Sequence, residues 1–499
     1  MAALNASPAT TVEKPTAEMK EHFDVPEDPD AGLSDEEREA IDRALVRKLD
    51  WKLIPWLCLL YLVSFLDRTN IGNAKIEGLI EDLGMTNTQY NACLTIFFVS
   101  YSVFEPLSNI LLKWMKPRIY IPVIMLAWGL CMTFMGLCHN YNGLMAARWF
   151  LGLTEAGLFP GVNYYLSCWF KRREFGIRAA IFFSAAAVSG SFGGLLAAAI
   201  SRMDGISGLH GWQWIFILEG IATFVIGIAS FWMVHDFPDD AKFLTPLERA
   251  RVLRRLAEDG QASSSHEDIK SVYVWQSLKD WKTWVGALIY MGVAGSLYAF
   301  SLFLPTIIKE LGYSSTTAQL LSVPPYALAC VLTILVGWFA DRAGQRGLFN
   351  IFISLLGVLG FAILLGSNSP TLSYIATFLA ALGIYPCISN TITWVSNNVE
   401  GVYKRGTTIG IVIGWGNLNG IMGSNVYRAK DAPHYRLGHA VVLGYLTIGL
   451  FGGSVLNYFL LRRENEKRRT GERDVWIEGL SRKEIEGLGD KRPDFLYTL

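Results

Sequence analysis

The sequence carries no net charge, because 44 Lys and Arg balance 44 Asp and Glu. Phosphate backbones are held by basic surface fields, so a nucleic acid is excluded as a partner. It also lacks paired cysteines. Cys58, Cys93, Cys131, Cys138, Cys168, Cys330 and Cys387 all fall inside or at the ends of apolar stretches, without the spacing of a metal site or a disulfide framework. They read as small buried residues. The polar stretches hold no nucleophile–base pair and no ligand cluster, so no enzyme, no metal and no cofactor is expected. The N-terminus is acidic rather than basic and then apolar, so no cleaved signal peptide is expected.

Charge is scarce, at 18% of residues, against 52% hydrophobic. The apolar residues are spread over many blocks, the pattern of a polytopic, all-α membrane protein. A crossing helix needs about 20 apolar residues. About twelve such windows can be drawn, at 51–71, 92–112, 119–138, 143–166, 178–200, 212–234, 283–307, 317–339, 349–366, 371–395, 407–427 and 438–461. The expected organisation is a tail at 1–50, six crossings over 51–234, a polar loop at 235–282, six crossings over 283–461 and a tail at 462–499. This layout predicts 12 transmembrane helices in two pseudo-symmetric six-helix halves. Ser34 is an N-cap candidate, and the spacing of Ile41, Leu45 and Leu49 predicts an amphipathic helix lying under the bilayer. The chain before Leu33 reads as disordered.

One set of short loops collects Lys113, Lys116, Arg118, Lys171, Arg172, Arg173, Arg178, Arg342, Arg346, Lys404 and Arg405, followed by the basic run after Leu461. The positive-inside rule puts this face, both termini and the central loop in the cytosol. A plasma-membrane, multi-pass chain is expected, surrounded by lipid and acting as a monomer.

Within the windows the ionisable residues are Asp67, Arg68, Glu105, Arg148, Glu155 and Glu219. A charge at the bilayer centre costs about 2.5–3.5 kcal/mol on insertion scales, so such groups face cavities, find partners and mark substrate or proton paths. Arg148 and Glu155 lie seven positions apart, which returns them to nearly the same helical face about two turns apart. Asp67 and Arg148 fall in the same outer half and are expected to pair across two helices, leaving Arg68 and Glu155 on the lumen. Arg68 would then grip a carboxylate substrate through both oxygens. Glu155, desolvated, could pass between neutral and charged forms and couple a proton to that anion. Glu105, before Pro106, reads as a cap on a local distortion, and Glu219 has no evident partner. Tyr101 is one turn from Glu105 and is placed to reach the cavity. In the second half, "CISNTITWVSNN" offers Thr391 and Trp394, and "GWGNLNG" offers Asn417 and Asn419, as further polar ligand contacts.

These motifs resemble the major facilitator superfamily and, within it, the anion:cation symporter family with its fungal allantoate-permease branch. "GWFADRAGQRG" resembles the superfamily's loop signature, placing Gly337, Asp341, Arg342, Gly344 and Arg346 in the gating loop between the eighth and ninth crossings. "LDRTNIGNA" and "RWFLGLTEAGLFPG" resemble the symporter family's markers. The resemblance implies proton coupling by Asp67, Arg148 and Glu155, and substrate binding by Arg68 and Tyr101. The glutamine of sugar-acid carriers is replaced by Ala187, which argues against a sugar acid. The implied function is proton-coupled symport of a small organic anion, such as nicotinate or another vitamin or nitrogen source, by alternating access. Proton-coupled export of a carboxylated metabolite is the alternative, followed by a transporter-like nutrient sensor signalling through its tails, although those charge runs read as solvated linkers.

Overall fold

The computed structural model describes residues 30, 32–259, 271–481, 485 and 488–499. The stretch expected to be disordered before Leu33, except residues 30 and 32, and nearly all of "EDGQASSSHED" lie outside the described residues. Among the described residues all regular structure is helical. Nine helices there are long and apolar enough to cross a membrane on those grounds alone.

Six crossings form the first half. They are α1 (Asp35–Ile76), α2 (Asn87–Met115), α3 (Pro117–Met135), the broken pair α4 (Tyr141–Glu155) and α5 (Leu158–Ser167), α6 (Arg172–Ile200) and α7 (Gly211–Met233). Two helices, α8 (Pro246–Glu258) and α9 (Ser271–Lys279), occupy the connecting segment. The second half is built from α10 (Trp281–Glu310), α11 (Ser315–Ala343), α12 (Arg346–Gly366), α13 (Pro370–Asn397), the broken pair α14 (Val402–Leu418) and α15 (Gly420–Asn425), and a last crossing. That crossing runs through α16 (Arg436–Gly444), a π-helical stretch at Tyr445–Gly452 and α17 (Gly453–Arg469). The halves meet where α1 packs on α10, α6 on α11, and α2 on α14 and α15.

The first helix departs from expectation. Ser34 does cap it, with its hydroxyl accepting from the Glu37 amide and the Glu37 carboxylate accepting from the Ser34 amide. The helix then continues for 42 residues without a break. At 1.5 Å per residue that is about 63 Å, roughly twice the hydrocarbon core, so no separate helix lies flat under the bilayer. Its first turns pack against α8 and the start of α6. Lys48 pairs with Glu248 at 2.7 Å, Asp42 with Arg255 at 3.2 Å, and Asp50 with Arg178 at 2.5 Å. Leu45 and Leu49 are buried in that contact.

The last segment is also docked rather than solvated. Lys282 and Lys404 both hold Asp490, at 2.7 and 2.5 Å, and both also hold Asp280. Trp394 Nε1 and the Asn398 amide donate to the Thr498 carbonyl, and the Arg346 amide donates to the Leu499 carbonyl. Burial alone would push the Asp490 carboxyl up, but the two lysines overcome it and hold the group below the usual aspartate range. A depressed carboxylate contributes stability above its unfolded pKa and loses it as pH falls through the folded value.

On the face that carries the basic loops, the loop after α11 closes on the first half. Gly344 ends α11 at φ +63, the left-handed conformation glycine adopts freely. Asp341 pairs with Arg346, which also donates to Asn390 at 2.9 Å, and both Asp341 and Arg346 abut Gly176 at the start of α6. The Arg342 guanidinium lies 5.4 Å from the Trp338 ring. Gly337 packs on Ala180 of α6.

Close helix approach sets tolerance to substitution. A Cβ on Gly129 of α3 would come within 2.8 Å of the Phe224 backbone nitrogen on α7. Gly129→Ala should therefore cost about 1–3 kcal/mol through overpacking, read as a lower midpoint in thermal unfolding of the detergent-solubilised protein. Docking of the segment around Asp490 should persist from pH 7 to pH 5, so protease resistance of the C-terminal segment should be equal at the two values.

Candidate functional site

The charged residues within the membrane converge where the halves meet. Ser64 and Arg68 are four positions apart on α1 and so share one helical face. Both reach Glu155, the last residue of α4 before the chain breaks at Ala156 and Gly157. Arg68 donates to Glu155 Oε1 from Nη2 at 2.7 Å and from Nε at 3.2 Å, and Ser64 Oγ donates to the same oxygen at 2.6 Å. The other oxygen, Oε2, has no hydrogen-bond partner among the described residues. Side-chain exposure of the ion pair is 3% for Arg68 and 0% for Glu155.

The remaining donors of Arg68 continue across the interface. Arg68 Nη1 donates to the Tyr298 hydroxyl at 3.1 Å, and that hydroxyl donates to Asn417 Oδ1 at 2.7 Å. Asn417 Nδ2 then donates to Glu105 Oε2 at 2.9 Å. A continuous chain thus runs from Ser64 and Glu155 in the first half, through Tyr298 on α10 and Asn417 on α14, and back to Glu105 on α2. Aromatic rings enclose it. The Arg68 guanidinium lies 4.9 Å from the Tyr101 ring centroid, 5.4 Å from Phe97, 5.7 Å from Tyr298 and 5.9 Å from Phe65. Ring faces attract a desolvated cation.

This pairing corrects the sequence expectation. Asp67 does not pair with Arg148. One position along a helix is a rotation of about 100°, so Asp67 faces α3 and α7 while Arg68 faces the interface. Asp67 Oδ2 accepts from Trp128 Nε1 at 2.9 Å and Thr223 Oγ1 at 2.8 Å. Arg148 faces α2 instead. Its Nε donates to the Cys93 carbonyl at 3.4 Å and its guanidinium lies 4.9 Å from Phe97. Its terminal nitrogens have no hydrogen-bond partner among the described residues, although the side chain is fully buried. Arg68 and Glu155 therefore hold each other rather than standing apart on a lumen.

Other placements differ as well. Glu105 is a member of the cross-half chain rather than a local cap. Glu219 has a partner in Asn70, whose amide donates to it. Thr391 accepts from Asn350 at 2.8 Å between α12 and α13, Trp394 binds the Thr498 carbonyl, and Asn419 accepts from Tyr445. Of the four polar candidates in the second half, only Asn417 joins the charged chain. Ser64 could have been found from its i, i+4 relation to Arg68. Tyr298, in an otherwise ordinary apolar run, gave no signal.

Contacts cross between the halves on both sides of this centre. Toward the face opposite the basic loops, Lys309 Nζ and Ser315 Oγ donate to the Ile76 carbonyl at 3.2 and 3.1 Å, and Gln319 donates to Glu77 at 3.0 Å. Toward the basic face, Gly176 meets Asp341 and Arg346, and Gly406 lies close to the Tyr164 ring.

A family model described as Major Facilitator Superfamily matches residues 57–424. The MFS-type transporter cnsO of Penicillium expansum is 36% identical over 470 residues, covering 92% of this chain and 90% of that protein. The high-affinity nicotinic acid transporter of Saccharomyces cerevisiae is 32% identical over 467 residues, 92% of this chain and 85% of that one. Among solved structures, the xylose transporter XylE from E. coli in a partially occluded inward open conformation matches with a TM-score of 0.60 at 13% identity, over 80% of this chain and 96% of its own, a likeness of fold. The twelve crossings, the charged chain joining their two halves and the family match over 57–424 lead to one conclusion: the chain is a multi-pass membrane transporter and belongs to the Major Facilitator Superfamily.

Proposed function

We propose that this transporter is a proton-coupled symporter of a small carboxylate-bearing anion, of the anion:cation symporter type, seated in the plasma membrane with its basic face toward the cytosol. The observation that carries this reading is the Arg68–Glu155 ion pair, 2.7 Å long and closed off from solvent at the junction of the two halves. A substrate carboxylate and the Glu155 carboxylate compete for one guanidinium. Protonation of Glu155 weakens its hold and frees Arg68 to bind the incoming anion. Departure of substrate and proton restores the pair.

The charge balance favours symport. Empty, the pair sums to zero. Loaded, Arg68 is positive, Glu155 is neutral and the substrate is negative, so the sum is again zero. Either form can rock through a low-dielectric interior without leaving an uncompensated buried charge, whereas the half-loaded forms cannot without a cost of about 3–5 kcal/mol. Asp67, bonded to Trp128 and Thr223, anchors α1, and buried Arg148 supplies further positive charge near the path. Tyr101, Phe97, Phe65 and Tyr298 around Arg68 suit a flat ring, and a relative at 32% identity is named as a nicotinic acid transporter, which together support an aromatic acid such as nicotinate.

Uptake of labelled nicotinate in cells expressing the chain should be faster at pH 5 than at pH 7 and collapse with a protonophore. Glu155→Gln should abolish accumulation against a gradient while retaining exchange, and Arg68→Ala should abolish binding; full accumulation by both variants would sink the assignment. Tyr298→Phe removes a bond to Arg68 and one to Asn417. It should raise KM roughly tenfold at nearly constant surface expression, consistent with about 1.4 kcal/mol.

A further inference from the structure

A second basic site lies outside the transport path, where α10 enters the membrane on the basic face. An open cavity of about 510 Å³ lies between the start of α10, the end of α17 and the returning C-terminal segment. Five cations and two carboxylates line it. Lys282 is committed to Asp280 and Asp490, and Arg473 to Glu464 at 2.5 Å. Lys279 and Lys491 have no acidic partner among the described residues and their side chains are exposed. Arg468 is 6% exposed and already committed: its terminal nitrogens donate to the Arg492 and Asp490 carbonyls and to the Tyr497 hydroxyl, and its Nε lies 3.6 Å from Glu464. The cavity is thus left with an excess of positive charge, of which Lys279 and Lys491 carry the part without an acidic partner among the described residues.

Its rim is apolar and uncovered among the described residues. Trp281 opens α10 and Trp284 follows one turn on, both with 40% or more of their surface exposed. Val475 and Trp476 form an exposed turn on one side of the mouth, and Val272 and Trp275 of α9 are exposed as well. Tryptophans where a helix enters the bilayer lie at headgroup depth. Clustered lysine and arginine at that depth attract anionic headgroups. The geometry points to a binding site for a phospholipid with a multiply phosphorylated headgroup, its phosphates held by Lys279 and Lys491 and its acyl chains leaving past Trp281 and Trp284.

The occupant would brace the C-terminal segment against α10, since Tyr497 and Leu488 share the same cavity. The test is binding of full-length protein in detergent micelles to phosphatidylcholine vesicles containing 5% phosphatidylinositol bisphosphate, against vesicles matched in charge with phosphatidylserine. The bisphosphate vesicles should bind more tightly. Lys279→Ala with Lys491→Ala, both exposed positions, should weaken that binding roughly thirtyfold and abolish the preference. Arg463→Ala with Arg469→Ala, on the same face but outside the cavity, should leave it intact. If the double lysine variant folds poorly, Lys491→Gln alone should still lower affinity severalfold. Equal loss in the Arg463/Arg469 variant would mean diffuse surface attraction and overturn the site. Full competition by soluble inositol trisphosphate at a matched phosphate concentration would overturn the lipid assignment in favour of a free phosphorylated ligand.

Discussion

The structure depends on one ion pair that has no water to fall back on. Arg68 and Glu155 are buried at the centre of a chain that spans a membrane, where an unpaired charge is expensive and a paired one is held tightly. Their surroundings follow from that cost. Ser64 adds a donor to Glu155, aromatic rings surround Arg68, and Tyr298 and Asn417 extend the same hydrogen-bonded chain into the second half. The hydrogen-bonded chain thus ties Glu155 in the first half to Asn417 in the second. At the opposite face, Lys309 of α10 holds the Ile76 carbonyl of α1, the same two helices that carry Tyr298 and Arg68, and Ser315 of α11 joins them. The hydrogen-bonded chain and the contacts at that face therefore share α1 and α10.

Much of the fold was legible because hydropathy reports directly on lipid exposure. The window at 349–366 became Arg346–Gly366 and that at 212–234 became Gly211–Met233. The capping box at Ser34 was equally readable, since it is a local pattern. Where the sequence misled, the deciding physics was not local. The helix starting at Ser34 fused with the first crossing because Asp42, Lys48 and Asp50 found partners on α6 and α8, far away in sequence. The C-terminal charges looked solvated until Lys282 and Lys404 supplied counterions for Asp490.

The site shows the same division. Which charged residues lie in the interior was visible from the cost of charge in lipid, and Asp67, Arg68, Arg148, Glu155 and Glu105 are all buried there. Which of them pair was not. Pairing depends on rotation about each helix axis, and a 100° step separates Asp67, turned toward Trp128 and Thr223, from Arg68, turned toward Glu155. Thr391 and Trp394 look suitable by residue type, yet their polar atoms are taken by Asn350 and the Thr498 carbonyl.

The central claim is that an anion can take Arg68 only when a proton takes Glu155. Proton uptake by the purified transporter on adding nicotinate, followed with a pH indicator in weakly buffered solution at pH 7, tests it directly. The account predicts close to one proton absorbed per anion bound, and none in Glu155→Gln. Saturable nicotinate binding by the unmutated chain with no proton uptake, or with proton release, would contradict it.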